Sequence, residues 1–201
     1  MRTLTSPTGT KYSFDPASLC LEVLLTGGPG PFARHEILSS PADLVTWLAG
    51  SWLGDTKVVI SEPELAQFKR FRDTLWVIAR AVVHGDMPSP ADLAYLNSCT
   101  GNVPEPQIDP HTRQSYWRAP VSGAQVIGAA AREAIDLLSG EQRLRECSAH
   151  DCYLLFVDTS RAGNRRWCSM ERCGNRSKVR SHRARINGPS TDPSHRPPQP
   201  A

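Results

Sequence analysis

Hydrophobic positions recur at helical spacing through much of the first 140 residues, and three of these runs open on one polar device. Ser40-Pro-Ala-Asp43, Ser61-Glu-Pro-Glu64 and Ser89-Pro-Ala-Asp92 each place a serine three residues before an acid, with a proline in the first turn. The serine oxygen accepts a backbone N–H of the first turn and the acid answers the serine N–H, so each tetrad predicts a helix start. The first helix should run to about Trp52. The second should turn Leu65, Phe68, Leu75, Trp76 and Ala79 inward and end near His84, with Gly85 as its left-handed cap. The third should fade near Asn97. A fourth helical pattern extends from about Ser122 to Leu138 and stops at Ser139-Gly140.

The remaining apolar runs are shorter. Leu19-Cys-Leu-Glu-Val-Leu-Leu25, bounded by Thr26-Gly-Gly-Pro-Gly-Pro31, predicts a buried strand. Gln114-Ser-Tyr-Trp-Arg118 predicts an edge strand or hairpin, and Tyr153-Leu-Leu-Phe-Val157 a further strand. A last helix is expected from near Cys173 to Ile186. On it Val179, His182 and Ile186 form one stripe, expected to pack on the metal core, while Ser177, Ser181 and Ala184 form the opposite crest. The segment from Asn187 holds five prolines with Ser, Thr and Gly, a composition that predicts disorder.

Four cysteines in the pattern Cys147-x4-Cys152-x15-Cys168-x4-Cys173 add the first chemistry. Two tight turns, each presenting two sulfurs, can enclose one tetrahedral zinc ion with no coordination position left open, which makes the expected site structural. Two disulfides are the other reading of four such thiols, and His150 is an alternative ligand. The first fifteen residues are polar, with no leader-like apolar run, and no stretch reaches the roughly eighteen apolar residues of a membrane span. A cytoplasmic, reducing setting is therefore expected, in which paired cysteines hold metal. Cys20, in an apolar run, reads as a small buried side chain.

Charge is distributed unevenly. The chain carries +3 overall, yet Arg161 to Arg185 holds nine basic residues against the single acid Glu171, a local +8. Residues 1–160 carry −5 and the remainder is neutral. An acidic body joined to a concentrated basic end suggests a module for polyanions. Along the last helix, Arg176, Arg180 and Arg183 flank the small-residue crest on one side and Lys178 and Arg185 on the other, so the face can come close to a phosphate backbone.

The same residues carry a family resemblance. Phe156-Val-Asp-Thr-Ser-Arg161, Arg165-Arg-Trp-Cys-Ser-Met170 and Cys173-Gly-Asn-Arg176 before a basic helix resemble the CGNR zinc finger. Upstream, Leu19-Cys-Leu-Glu-Val-Leu24, Asp43-Leu-Val-Thr-Trp-Leu48 and His84-Gly-Asp-Met-Pro-Ser-Pro90 resemble the ABATE domain of bacterial proteins described as putative stress-induced transcription regulators. Together they cover about residues 15 to 187. The resemblance implies zinc bound by Cys147, Cys152, Cys168 and Cys173 and DNA bound by the module. Glu22 and Leu25 stand where the family's first strand usually reads Asp and Asn.

The expected architecture is mainly α with minor β (α+β). A multihelical domain over 1–140, regulatory or sensory, precedes a four-cysteine zinc module over 141–187, which ends in a basic helix, and a tail over 188–201. One structural Zn2+ is expected, with duplex DNA as partner, contacted by Arg165, Arg166, Arg176, Lys178, Arg180, Arg183 and Arg185, mostly at phosphates. A small-molecule effector of the first domain and a homodimer are compatible with this plan, although no heptad supports assembly. The other function classes are a zinc-stabilised protein-interaction platform and an RNA binder in which Trp167 or Tyr153 stacks on bases.

Other residues have structural readings. Gly174 would free an N–H for a cysteine sulfur, Asn175 would cap the last helix or bond across the module, Asp158 would pair with Arg165 or Arg166 and hold the loop, and Trp167 would pack. Catalysis finds no support. Gly27-Gly-Pro-Gly30 lacks the lysine of a phosphate loop, there is no Gly-x-Ser-x-Gly or His-Glu-x-x-His, and His35, His84 and His111 are scattered.

Overall fold

The computed structural model describes residues 1–6, 9–140 and 143–186, the side chains of 184–186 excepted. The architecture is mainly helical with minor strand. An antiparallel hairpin of β1 (Arg2–Thr5) and β2 (Lys11–Phe14) leads into α1 (Leu19–Val23) and a short 3-10 turn over Leu24–Thr26. Then come α2 (Pro41–Ala49), β3 (Val58–Val59), α3 (Glu62–His84) and α4 (Pro90–Ser98). A second hairpin, β4 (Pro106–Ile108) with β5 (Ser115–Trp117), precedes β6 (Val121–Ser122), which runs parallel to β3, and α5 (Gly123–Ser139). Antiparallel β7 (Leu144–Glu146) and β8 (Leu155–Val157) frame the first cysteine pair, and α6 (Asn175–Ile186) ends the described chain.

The expected helix starts are present. Ser40, Ser61 and Ser122 form reciprocal capping boxes with Asp43, Glu64 and Gln125, and the Ser89 hydroxyl accepts from Asp92 N–H. Gly85 closes α3 in the left-handed conformation at φ 79°. The α2 helix stops at Ala49, short of Trp52, whose ring instead meets Trp117 edge-on at 4.8 Å.

The central layer is α3 against α5, with α1, α2 and α4 packed around it. The α3 helix buries Phe68, Phe71, Leu75 and Ile78, and the α5 helix that packs on it buries the small residues Ala130, Ala131 and Ala134, all fully or almost fully. The small side chains let the helix backbones approach, and the rings fill the volume they leave.

One element differs in type from its prediction. Leu19–Val23 is helical, not extended. A short apolar run fits either conformation by periodicity, and here a distant side chain decides. Both carboxylate oxygens of Glu133, on α5, accept from Leu19 and Cys20 N–H at 3.1 and 2.6 Å, capping α1 from outside it. The N-cap Ser18 side chain makes no capping bond; its hydroxyl lies 3.1 Å from the Cys20 sulfur. Glu133→Ala should therefore lower stability by about 1 to 2 kcal/mol, the worth of a strong N-cap, read as a lower urea midpoint at unchanged slope.

Glu22, at the position that departs from the family's usual residue, accepts from Arg2 at 3.2 Å and ties the first hairpin to α1. Fully buried Cys20 has its thiol pushed up to about 12, chiefly by burial, which leaves it an inert packing group.

Candidate metal centre and basic helix

The cysteine module grows out of this core without a gap: its buried residues belong to one apolar cluster with those of the helices. Val157 N–H donates to Pro16 carbonyl at 2.9 Å, and Arg80 of α3 donates to Glu146 of β7 at 2.9 Å. Between β7 and β8 the chain turns through Ser148–Asp151, with Cys152 N–H closing on Ala149 carbonyl at 3.0 Å. This first knuckle is joined to the second by Ser148 N–H donating to Arg166 carbonyl at 2.9 Å.

The four sulfurs converge. All Sγ atoms lie within 4.8 Å of one another; Cys152 and Cys168 are 3.7 Å apart and Cys168 and Cys173 are 3.5 Å apart. Zinc–sulfur bonds of about 2.3 Å in a tetrahedron require sulfur separations of about 3.8 Å, so the cluster has the dimensions of that ion's coordination shell. A disulfide needs about 2.05 Å, and all six cysteines are free. Each of the four is buried. The sulfurs compete for charge: hydrogen bonds accepted from Cys152, then Cys168 and Cys173, hold the Cys147 thiol low, while the contact with Cys147 first pushes Cys168 up. A divalent cation removes that competition by charging all four. His150 is exposed and outside the cluster.

The surrounding groups brace this centre. Cys168 N–H donates to Cys147 Sγ at 3.3 Å. That bond fills the role expected of Gly174, whose N–H instead donates to Ser169 carbonyl at 3.1 Å within a wide turn over Met170–Gly174. A Cβ at Gly174 would lie 2.7 Å from Met170 Sδ, the end of a flexible side chain that is itself half exposed and able to move aside. Asp158 holds the loop through backbone and hydroxyl groups, accepting from Ser160 Oγ, Ser160 N–H and Arg165 N–H at 2.5, 3.0 and 2.9 Å. Those bonds, led by the Ser160 hydroxyl, keep its carboxyl below the usual carboxylate range. Trp167 packs against the core, and the Arg166 guanidinium lies 5.1 Å from its ring.

The predicted cations separate into three groups. Arg165 turns inward: its guanidinium donates to Cys168, Trp167 and Asp15 carbonyls at 2.8, 3.2 and 3.3 Å and covers Phe156 at 4.1 Å. Arg176 pairs with Asp151 and pins the base of α6 to the first knuckle. Arg166, Lys178, Arg180 and Arg183 are exposed and have no carboxylate partner among the described residues. The Arg185 side chain lies outside the described residues, as do the tail and the Ile186 side chain.

The expected inward stripe on α6 is absent. Val179 is 50% exposed and His182 is exposed, whereas Ser177 of the supposed outer crest is half-buried. The wide turn, Phe156 and Arg165 already close the metal core, so the stripe has no part in covering it. The α6 helix stands on the wide turn with cations around it. Asn175, its first residue, is exposed and its side chain makes no hydrogen bond among the described residues, so it caps nothing.

Arg172 went unnoticed in the sequence, where it reads as one more cation. It donates to the Tyr12 hydroxyl at 2.8 Å and lies 3.9 Å from Cys152 Sγ, linking the first hairpin to the metal site. Burial pushes the Tyr12 phenol up to about 12, so it stays neutral.

A helical body continuous with a buried four-cysteine cluster, from which a cationic helix projects, defines a zinc-finger protein. Residues 143–186 match the family model of the CGNR zinc finger, and residues 17–141 match that of ABATE, described as "Putative stress-induced transcription regulator". The chain belongs to this ABATE family and carries the zinc finger after the ABATE domain. No curated protein matches it. Family and sulfur geometry together support a zinc site. Among the described residues no helix is long and apolar enough to cross a membrane.

Proposed function

We propose that the protein is a cytoplasmic DNA-binding transcription regulator. In this reading residues 1–140 form its regulatory body, and one structural zinc ion on Cys147, Cys152, Cys168 and Cys173 organises residues 141–187 for duplex DNA. Four soft anionic ligands satisfy the ion completely, so it supplies folding energy and no reaction. The observation that carries the reading is the exposure of α6, Ser177 excepted, over residues 175–183, held at its base by the wide turn and the Arg176–Asp151 pair. A rigid cationic rod raised from a folded base can follow a phosphate backbone, where unpaired guanidinium and ammonium groups release condensed counterions.

Lys178, Arg180, Arg183 and Arg166 are the contacts proposed from this arrangement, with Arg185 continuing the helix beyond them. Arg176 reaches DNA only by leaving Asp151. Arg165 acts by holding the second knuckle in place.

Arg180→Ala with Arg183→Ala should weaken duplex binding and flatten the plot of log K against log salt by about two phosphate contacts, a slope change near 1.8. Equilibrium titration at several salt concentrations measures it, and an unchanged slope would move the contact surface off α6. A protein-interaction platform is the second reading. It is favoured by Met170 and Val179, which are 51% and 50% exposed beside the cations.

A further inference from the structure

A cleft of about 410 Å³ lies between the first hairpin and the first cysteine knuckle. Its apolar wall comes from Leu4, Leu25, Pro31, Phe32 and Leu154, so three separate stretches of chain meet there. Arg34, His35, Glu36, Asp151 and Arg172 line it with charged or basic groups, the Tyr12 phenol is neutral among them, and Cys152 and Tyr153 complete the polar lining on the knuckle side.

The two acids are already matched. Glu36 takes both Arg72 terminal nitrogens at 3.0 and 2.8 Å, and Asp151 pairs with Arg176. The two guanidiniums have no carboxylate partner among the described residues. Arg172 meets the Tyr12 hydroxyl and the Cys152 sulfur, which take up part of its charge. Arg34 is exposed and donates its Nε–H to His35 Nε2 at 3.2 Å, and its terminal nitrogens have no hydrogen-bond partner among the described residues. Burial, and after it the charges of Arg34 and Arg172, holds the His35 ring below the ordinary histidine value.

We propose that this cleft is a binding site for a small organic acid, with the carboxylate on Arg34 and an apolar body between Phe32 and the knuckle. The volume lies in the range of small-molecule sites, roughly 300 to 1,000 Å³, and such sites join apolar walls to a few polar groups that fix orientation. A guanidinium fork matches a carboxylate in two parallel bonds. The bound acid would touch the first hairpin and the turn that carries Cys152, giving the body a direct hold on the metal module. The inference does not depend on whether α6 meets DNA.

The test uses the full chain loaded with zinc and titrated with phenylacetate, the neutral phenylacetamide and inorganic phosphate, followed by amide shifts in nitrogen-15 NMR. Phenylacetate should bind saturably, with the largest shifts at Thr3–Thr5, Arg34–Ile37 and Asp151–Leu154. The amide should bind at least about tenfold more weakly, as should phenylacetate to Arg34→Gln, since a charge-assisted pair contributes about 1.5 to 3 kcal/mol. Phosphate keeps the charge but has no apolar body for the wall at Phe32, and should also bind at least about tenfold more weakly. Zinc content should be unchanged in that variant. Absence of saturable shifts around the cleft, or equal binding of acid and amide, would overturn the proposal. So would equal binding of phosphate. The comparison of acid with amide uses the unaltered chain and stands even if the variant misfolds.

Discussion

Cys173→Ser should release zinc and unfold residues 143–186 while α3, α4 and α5 keep their helical signal. Apparent zinc binding energies for comparable small sites are about 10 to 16 kcal/mol near neutral pH, and a hydroxyl does not replace a thiolate ligand. Without the ion, three buried sulfurs compete for charge with no cation to satisfy them. The module's own apolar residues, Leu154 to Val157, then have to hold two knuckles alone. The α3–α5 layer closes on residues outside the module, so it should survive with a lowered melting temperature, because the two regions share one apolar cluster. Limited proteolysis with metal analysis reads this directly. A variant that keeps residues 143–186 protected after losing zinc would refute the structural role of the ion.

Gly128→Ala should destabilise the body, although alanine is ordinarily the better helix residue by about 0.5 to 1 kcal/mol. A Cβ at Gly128 would lie 2.2 Å from Asn102 carbonyl oxygen and 3.4 Å from Gly101 oxygen. The neighbouring chain cannot retreat freely, because Arg132, one turn further along α5, donates to Thr100 carbonyl at 3.2 Å and to Gly101 carbonyl at 2.8 Å. Overpacking against backbone costs about 1 to 3 kcal/mol, so the net sign should be negative, with the melting temperature falling by several degrees. A rise would mean that the 100–102 segment yields easily and that the close approach is incidental.

What the sequence disclosed follows the range of each interaction. Capping tetrads span four residues, so Ser40, Ser61 and Ser89 announced their helices, and the matched cysteine pairs announced their knuckles. The conformation of Leu19–Val23 was not legible because its cap, Glu133, lies more than a hundred residues away in sequence. No local signal marks an external cap. The Val179 and His182 stripe misled for a related reason: periodicity shows that a face exists, whereas a wide turn and Arg165 had already used the surface it would cover. Arg165, Arg172 and Arg176 looked alike as cations, and only their partners distinguish brace, link and anchor.

The central claim, that zinc organises the module which carries α6 to DNA, is tested most directly by fluorescence anisotropy of the full chain with a mixed-sequence duplex. The titration is run at low and physiological salt, on zinc-loaded protein and on Cys173→Ser. Binding should need zinc and fall steeply with salt, by roughly 0.9 in log–log slope for each phosphate contacted. Absence of binding by the zinc-loaded protein at low salt, or equal binding by Cys173→Ser, would contradict the claim.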